Sequence, residues 1–384
     1  MEGSHAGLFG DMPVSYYCCR FADGRICSIG HIMFGSDNHA PAHSAVLAAL
    51  TSANTGRAGA YGDDAWSLRA LHALQTVFET DDLDVLFVGT GGAANGLALS
   101  LLCPPWSAIL ALGDAHILAD EGGGPEHFTG GARIIAVGAA ASRMTGDHLQ
   151  QAAARYPRAN VHSPQPRVVT ITNLSENGLI YTPREILDLS AVCREHDWKL
   201  HMDGARFANA VTSSGASPAD LTWRSGVNAL SFGLTKNGAV CAEALIVFGK
   251  ARNDAAAYLR KRAGHLFSKQ RFMAAQFVAM LENGLWLELA QHANAMAQSL
   301  ARVLEASGCT SMYPVEGNEV FVRVPQLQTE TLKQADIGFY PWAPSGEGVF
   351  RFVTCWQTTI ADISAVKSAL SCCGLITGFR HDQK

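Results

Sequence analysis

The residue best placed for covalent chemistry is Lys236, in Ser231-Phe232-Gly233-Leu234-Thr235-Lys236-Asn237-Gly238, where an apolar run gives way to residues suited to a tight turn. At the end of a buried strand, desolvation favours the neutral amine, and a neutral amine can form a Schiff base with an aldehyde. A lysine without suitable neighbours is an ordinary surface cation, so the residues that accompany Lys236 matter. In Val85-Leu86-Phe87-Val88-Gly89-Thr90-Gly91-Gly92-Ala93-Ala94-Asn95 a strand-like run meets glycines and then helical sequence. Such glycines let backbone N–H groups approach an anion, and a helix N-terminus adds partial positive charge, which makes a phosphate cradle. The stretch lacks the spaced G-x-G-x-x-G fingerprint and can also be a plain turn. In His201-Met202-Asp203-Gly204-Ala205-Arg206-Phe207 a strand delivers Asp203, which can keep a cofactor ring nitrogen protonated or else cap the following helix. Gly113-Asp114-Ala115-His116 follows another strand, so His116 can stack on an aromatic cofactor or serve as a structural histidine.

The elements that must position these residues are short apolar runs separated by longer helical stretches. Strands are expected at Val85–Val88, Ile109–Leu112, Arg133–Val137, Val168–Thr172, Lys199–Met202, Asn228–Phe232 and Leu245–Phe248. Helices are expected at Trp66–Glu79, Ala93–Leu102, Gly146–Arg155 and Pro183–Glu195, the last with Thr182 as N-cap and Pro183 at its first position. This alternation predicts an α/β fold with a mostly parallel seven-stranded sheet sandwiched by helices, in which ligands sit beyond the carboxyl ends of the strands. After a helix-rich stretch from Ala255 to Leu304, Glu319–Val324 and Val349–Val353 read as alternating strands and Ala361–Leu370 as a helix. The expected organisation is an N-terminal extension (1–32), a large α/β domain (33–270) and a smaller α+β C-terminal domain (271–384).

Composition narrows the function classes. With 384 residues, 48% hydrophobic and 16% charged, the chain is long enough for two or three domains with sizeable cores. A formal charge of −5 gives no electrostatic reason to expect nucleic acid, whose binding needs a clustered basic face. No apolar run approaches the roughly 18 residues of a membrane span. The start, Met1-Glu2-Gly3-Ser4-His5, has no basic segment before an apolar core, so no secretory signal is expected. The ten cysteines show neither a C-x-x-C nor a zinc spacing and read as reduced cytoplasmic thiols, with no metal expected.

Taken in order, cradle, histidine, aspartate and lysine each follow a predicted strand, and the chain resembles the L-threonine aldolases, pyridoxal 5′-phosphate enzymes of fold type I. The resemblance rests on Phe34-Gly35-Ser36-Asp37-Asn38, Ala60-Tyr61-Gly62-Asp63-Asp64, Gly91-Gly92-Ala93-Ala94-Asn95, and Ala115-His116 with Asp120-Glu121. It continues through Pro166-Arg167-Val168-Val169-Thr170, His201-Met202-Asp203-Gly204-Ala205-Arg206, Thr235-Lys236-Asn237-Gly238 and Arg351-Phe352-Val353-Thr354, so that it covers about residues 33 to 356. It implies that Lys236 carries the cofactor as a Schiff base, Asp203 pairs with the pyridinium nitrogen, His116 stacks on the ring, and Gly91 and Gly92 present N–H groups to the phosphate. Ser36, Arg206 and Arg351 would bind the substrate carboxylate. His162 would lie near the substrate hydroxyl, and the base would be His162, His116 or a water. Tyr61 would reach a neighbouring subunit's site in a homodimer or homotetramer. Lys269 and Arg271 would lie near the phosphate or on a solvated helix face, and Asp120 would help shape the aldehyde side. One departure is Gly92, where the family commonly has a threonine whose hydroxyl also bonds the phosphate. The implied reaction is cleavage of L-threonine, L-allo-threonine and related β-hydroxy-α-amino acids to glycine and an aldehyde. The alternatives sharing the lysine and aspartate are a phenylserine aldolase, a β-eliminating lyase or an aminotransferase, and a non-catalytic relative is the rival outside catalysis.

Overall fold

The computed structural model describes residues 32–138, 141–342 and 346–378. The expected N-terminal extension lies outside them except for Ile32. Seven strands form the central sheet: β1 (Leu83–Val88), β2 (Ser107–Leu112), β3 (Arg133–Val137), β4 (Gln165–Thr172), β5 (Lys199–Gly204), β6 (Ala229–Gly233) and β7 (Glu243–Phe248). Their spatial order is β1-β7-β6-β5-β4-β2-β3. Only β7 runs against the others, pairing antiparallel with both β1 and β6. All seven expected strands are present. Strands β2, β6 and β7 are buried at every position, which is why they read as continuous apolar runs without alternation.

Helices α1 (Ala65–Phe78), α2 (Gly91–Leu102), α3 (Gly146–Arg155), α4 (Pro183–Glu195) and α5 (Phe207–Ser214) accompany these strands. Helix α4 starts where the sequence predicts. The Thr182 hydroxyl accepts from the Glu185 N–H while the Glu185 carboxylate accepts from the Thr182 N–H at 2.8 Å, with Pro183 in the first turn. Helix α2 lies against the sheet, with Ala93, Ala94, Leu97 and Ala98 buried beside Val88 and Leu245. A Cβ on Gly96 would collide with the Phe128 ring, so only glycine lets the segment Gly124–Thr129 pack against α2 so closely.

The C-terminal sheet is built on β8 (Glu319–Arg323) and β9 (Val349–Val353), antiparallel with Glu319 opposite Val353 and Phe321 opposite Arg351. Its core gathers Leu300, Leu304, Val320, Val322, Phe352 and Val366, and also Phe34. Ile32–Met33 pairs in parallel with Ile337–Gly338, so the chain before the large sheet packs with the smaller unit. The expected division after residue 270 precedes helix α6 (Arg271–Leu281), whose Met273, Phe277 and Met280 sit in the core of the large sheet. The changeover falls within helix α7 (Leu285–Ala306). Its Trp286 and Leu289 belong to the first core, whereas Leu300 and Leu304 belong to the second. Among the described residues no helix is long and apolar enough to cross a membrane.

Candidate active site

Asp203 and Lys236 are set by the neighbouring strands β5 and β6, at whose carboxyl ends they lie. Asp203 is buried; its Oδ1 accepts from the Ala205 N–H at 2.9 Å and its Oδ2 from Asn95 Nδ2 at 2.8 Å. Helix α5 opens at Arg206 with no side-chain cap, so Asp203 does not cap it. Beyond β6 the chain makes a single 3₁₀ turn, Thr235–Asn237, closed by Gly238 at φ 105°, a conformation that suits glycine. The turn is pinned because Asn237 donates to the Trp286 carbonyl at 2.7 Å and the Gly238 carbonyl accepts from the His43 N–H at 2.8 Å. Lys236 itself is partly buried. Burial and then the positive charge of Arg206 pull its amine below the ordinary value of 10.5, against the pull of Asp37, Asp203 and Glu319.

On the other side of Asp203, α2 begins at Gly91 with Thr90 as N-cap, its hydroxyl accepting from the Ala93 N–H at 3.2 Å. The first N–H groups of a helix have no partner within it, so those of Gly91 and Gly92 are donors for an anion. A Cβ on Gly92 would stand 3.6 Å from Glu121 Oε2, and one on Gly91 3.7 Å from Glu243 Oε2. Burial pushes the Glu243 carboxyl up to about 7.

Asn95 joins the two sides. Its amide donates to Asp203 Oδ2 and to Glu121 Oε1, each at 2.8 Å, and Glu121 Oε1 lies 3.0 Å from His116 Nδ1. A carboxylate only accepts, so Nδ1 carries the proton and Nε2 is left as the base. The hydrogen bond to Glu121 holds the His116 imidazolium above its usual range, outweighing burial. The backbone of His116 is fixed separately, its N–H donating to Glu176 Oε1 at 3.0 Å.

At the far side of Lys236 lies a cluster of charges. Arg206 meets Asp37 in a two-point pair, Nε to Oδ2 at 2.8 Å and NH2 to Oδ1 at 3.1 Å, and its NH2 is 3.4 Å from Glu319 Oε1. Burial works against the guanidinium charge, but Asp37 and Glu319 more than restore it. Arg351 NH1 lies 3.6 Å from the same Glu319 oxygen, NH2 donates to the Gly35 carbonyl at 3.4 Å, the guanidinium stacks 4.9 Å from the Trp342 ring centre, and Nε is buried without a partner. Ser36 caps the turn beside Asp37, accepting from the Asn38 N–H at 3.2 Å, which leaves its hydroxyl proton free to donate.

The structure thus brings Ser36, Gly91, Gly92, His116, Asp203, Arg206, Lys236 and Arg351 to one rim. It does not bring His162. That histidine is exposed and precedes β4, at the amino end of the strand, the opposite edge from the rim that holds Asp203. Eight residues of extended strand, at about 3.3 Å each, separate the two edges. Tyr61 is 53% exposed, with its N–H on the Ser268 carbonyl at 3.0 Å, and Asp120 is exposed next to His116. Arg271 donates to the Gly56 carbonyl at 3.3 Å, near the Tyr61 segment, with its Nε buried and unpaired, and Lys269 is exposed beside it. Five site residues were given no role by sequence reasoning: Asp37, Asn95, Glu121, Asn318 and Glu319. Asn318 donates to Asp37 Oδ2 at 3.2 Å. Asp37, Asn95 and Glu121 stand inside the quoted stretches; Asn318 and Glu319 had no local signal.

The family model of the β-eliminating lyases matches residues 34–326. The low specificity L-threonine aldolase of Pseudomonas sp. (strain NCIMB 10558) is 40% identical over 344 residues, 88% of this chain and 98% of that protein. That of Pseudomonas aeruginosa is 40% identical over 85% of this chain and 93% of its own length. The solved threonine aldolase of Leishmania major superposes with a TM-score of 0.82 at 28% identity, covering 90% of this chain and 99% of that one.

Proposed function

The chain belongs to the β-eliminating lyase family and, within it, to the low specificity L-threonine aldolases, and from that premise we propose that it cleaves L-threonine, L-allo-threonine and related β-hydroxy-α-amino acids to glycine and an aldehyde. It is a carbon–carbon lyase of fold type I that depends on pyridoxal 5′-phosphate. The observation that carries this is the placement of Lys236, its amine pulled toward neutrality, between a buried Asp203 and a pair of arginines at the carboxyl rim of the sheet.

The residues present fit the cofactor. Gly91 and Gly92 leave a cradle with free N–H groups and no Cβ, and would hold the phosphate. Asp203 would face the ring nitrogen, His116 would lie on the ring and Lys236 would take the aldehyde. When bound, pyridoxal phosphate supplies the carbonyl that captures the amino group and the electron sink for the charge left at Cα.

The chain's own groups do the rest. Arg351, with an unpaired buried Nε, and Ser36, with a free hydroxyl proton, hold the substrate carboxylate, and Arg206 lines the same wall, held by Asp37. Fixing that carboxylate decides which bond at Cα is turned toward cleavage. Asn95 keeps Asp203 in place. His116 Nε2 accepts the proton of the β-hydroxyl, directly or through a water, because Nδ1 is engaged by Glu121 and His162 is at the other edge of the sheet. Lys236 Nζ holds a proton that can return to Cα.

A working location in the cytoplasm and a homodimer or homotetramer complete the proposal, supported by the free thiols of the described cysteines and by the exposed Tyr61. The test is product identity: L-threonine added to the cofactor-loaded protein yields acetaldehyde and glycine in equal amounts. A 2-oxo acid in their place would assign the chain to elimination or transamination.

A further inference from the structure

The wall that faces the substrate carboxylate contains an anion of its own. Glu319 opens β8, diagonally across from Arg351 on the same face of the sheet, and its side chain is 1% exposed. One oxygen, Oε1, lies 3.4 Å from Arg206 NH2 and 3.6 Å from Arg351 NH1. Both contacts are ion pairs without hydrogen-bond geometry, so the attraction is Coulombic and neither arginine commits a hydrogen to it. The other oxygen, Oε2, is buried with no partner. A carboxylate held this way is costly to bury and is not satisfied by its surroundings, so stability alone does not account for it.

Its effect on charge is direct. Arg206 and Arg351 bring two positive charges, Asp37 already neutralises Arg206 through two hydrogen bonds, and Glu319 neutralises the charge left over. Before any ligand arrives, this wall is close to neutral. A monocarboxylate amino acid is held by hydrogen bonds to arginine with little net attraction. A substrate bearing a second carboxylate meets no surplus positive charge and a buried anion nearby.

We propose that Glu319 is a specificity-determining residue, which weakens binding of the α-carboxylate and excludes β-hydroxy amino acids whose side chain carries a second carboxylate. This rests on the aldolase reading above. Without Glu319 the arginine pair would carry a net positive charge and take both kinds of substrate more tightly.

The experiment compares wild-type holoenzyme with Glu319→Gln, Glu319→Ala and Glu319→Asp, using L-threonine and β-hydroxyaspartate as substrates and following glycine binding through the cofactor absorbance. In Glu319→Gln and Glu319→Ala, KM for L-threonine and Kd for glycine each fall by at least about tenfold, a lower bound for removing one unit charge a few ångströms away across partly polar surroundings. The ratio of kcat/KM for β-hydroxyaspartate to that for L-threonine rises by at least about tenfold. Glu319→Asp, which keeps the charge, stays near wild type in all three. A KM or Kd that is unchanged or raised, or a substrate ratio that does not move, overturns the proposal and leaves Glu319 as a brace for the arginines. Wild-type enzyme that releases no acetaldehyde from L-threonine would overturn the aldolase reading instead.

Discussion

Asn95 and Asp203 meet at 2.8 Å, Nδ2 donating to Oδ2, and the second hydrogen of the same amide goes to Glu121 Oε1 at 2.8 Å. One side chain near the start of α2 therefore orients both the carboxylate expected to face the cofactor nitrogen and the carboxylate that fixes His116. Asn95→Ala removes two hydrogen bonds to charged acceptors, each worth about 1.5–3 kcal/mol. We predict a loss of roughly ten- to a hundredfold in kcat/KM for L-threonine, with the cofactor still bound as judged by absorbance. Activity within twofold of wild type would show that Asp203 and His116 are held by other contacts.

The Glu121–His116 contact sets a pH dependence. Glu121 raises the imidazole above its usual 6.5, and His116 Nε2 can accept a proton only when the ring is neutral, so kcat/KM falls as pH drops through this raised value. Glu121→Gln removes the carboxylate, lets the imidazole fall back and moves the acidic limb of the profile to lower pH. A limb that stays in place would take His116 out of the role of base.

Gly92 stands where a hydroxyl would find work. Its backbone φ is not in the left-handed region, and a Cβ there would be 3.6 Å from Glu121 Oε2, an ordinary contact with an oxygen that is buried and unpaired. Gly92→Thr therefore fits without displacing the helix start. We expect it to slow the loss of cofactor on dialysis, by supplying a hydroxyl at the head of the cradle. Faster or unchanged loss would mean that the Glu121 carboxylate captures the hydroxyl, or that Thr90 already serves the phosphate.

Glu243 carries a stability signature. Its folded-state value of about 7 stands above the ordinary 4.5 because burial disfavours the anion, so between these values the folded chain holds more protons than the unfolded one. Stability contributed by this group is present below 4.5 and is lost as pH rises through about 7, up to about 3 kcal/mol in all. Glu243→Gln should flatten that part of the curve of urea midpoint against pH. An unchanged slope would place the titrating group elsewhere.

Much of this was legible in the sequence because it is local. The seven strands are short apolar runs bounded by turn residues, and the Thr182–Glu185 capping box announces α4. Lys236 and Asp203 are marked by the turns that follow their strands. What was not legible is held together by distance in the chain. Asp37, Arg206, Glu319 and Arg351 come from four separate segments, and no spacing rule links a glutamate at the start of β8 to an arginine after β5. His162 fails for the converse reason: its sequence neighbours match, but a strand of eight residues carries it to the edge away from the rim. The expected division after residue 270 meets α6, which is as apolar as a core helix of either unit, so only packing tells which core it joins.

We propose that Lys236 is the amine that binds the cofactor. Borohydride reduction of the cofactor-loaded protein followed by peptide mapping tests it most directly. A single pyridoxyl label is expected, on the peptide that contains Lys236, and none after Lys236→Ala. A label on Lys269 or another lysine, or none in the wild-type chain, would contradict it.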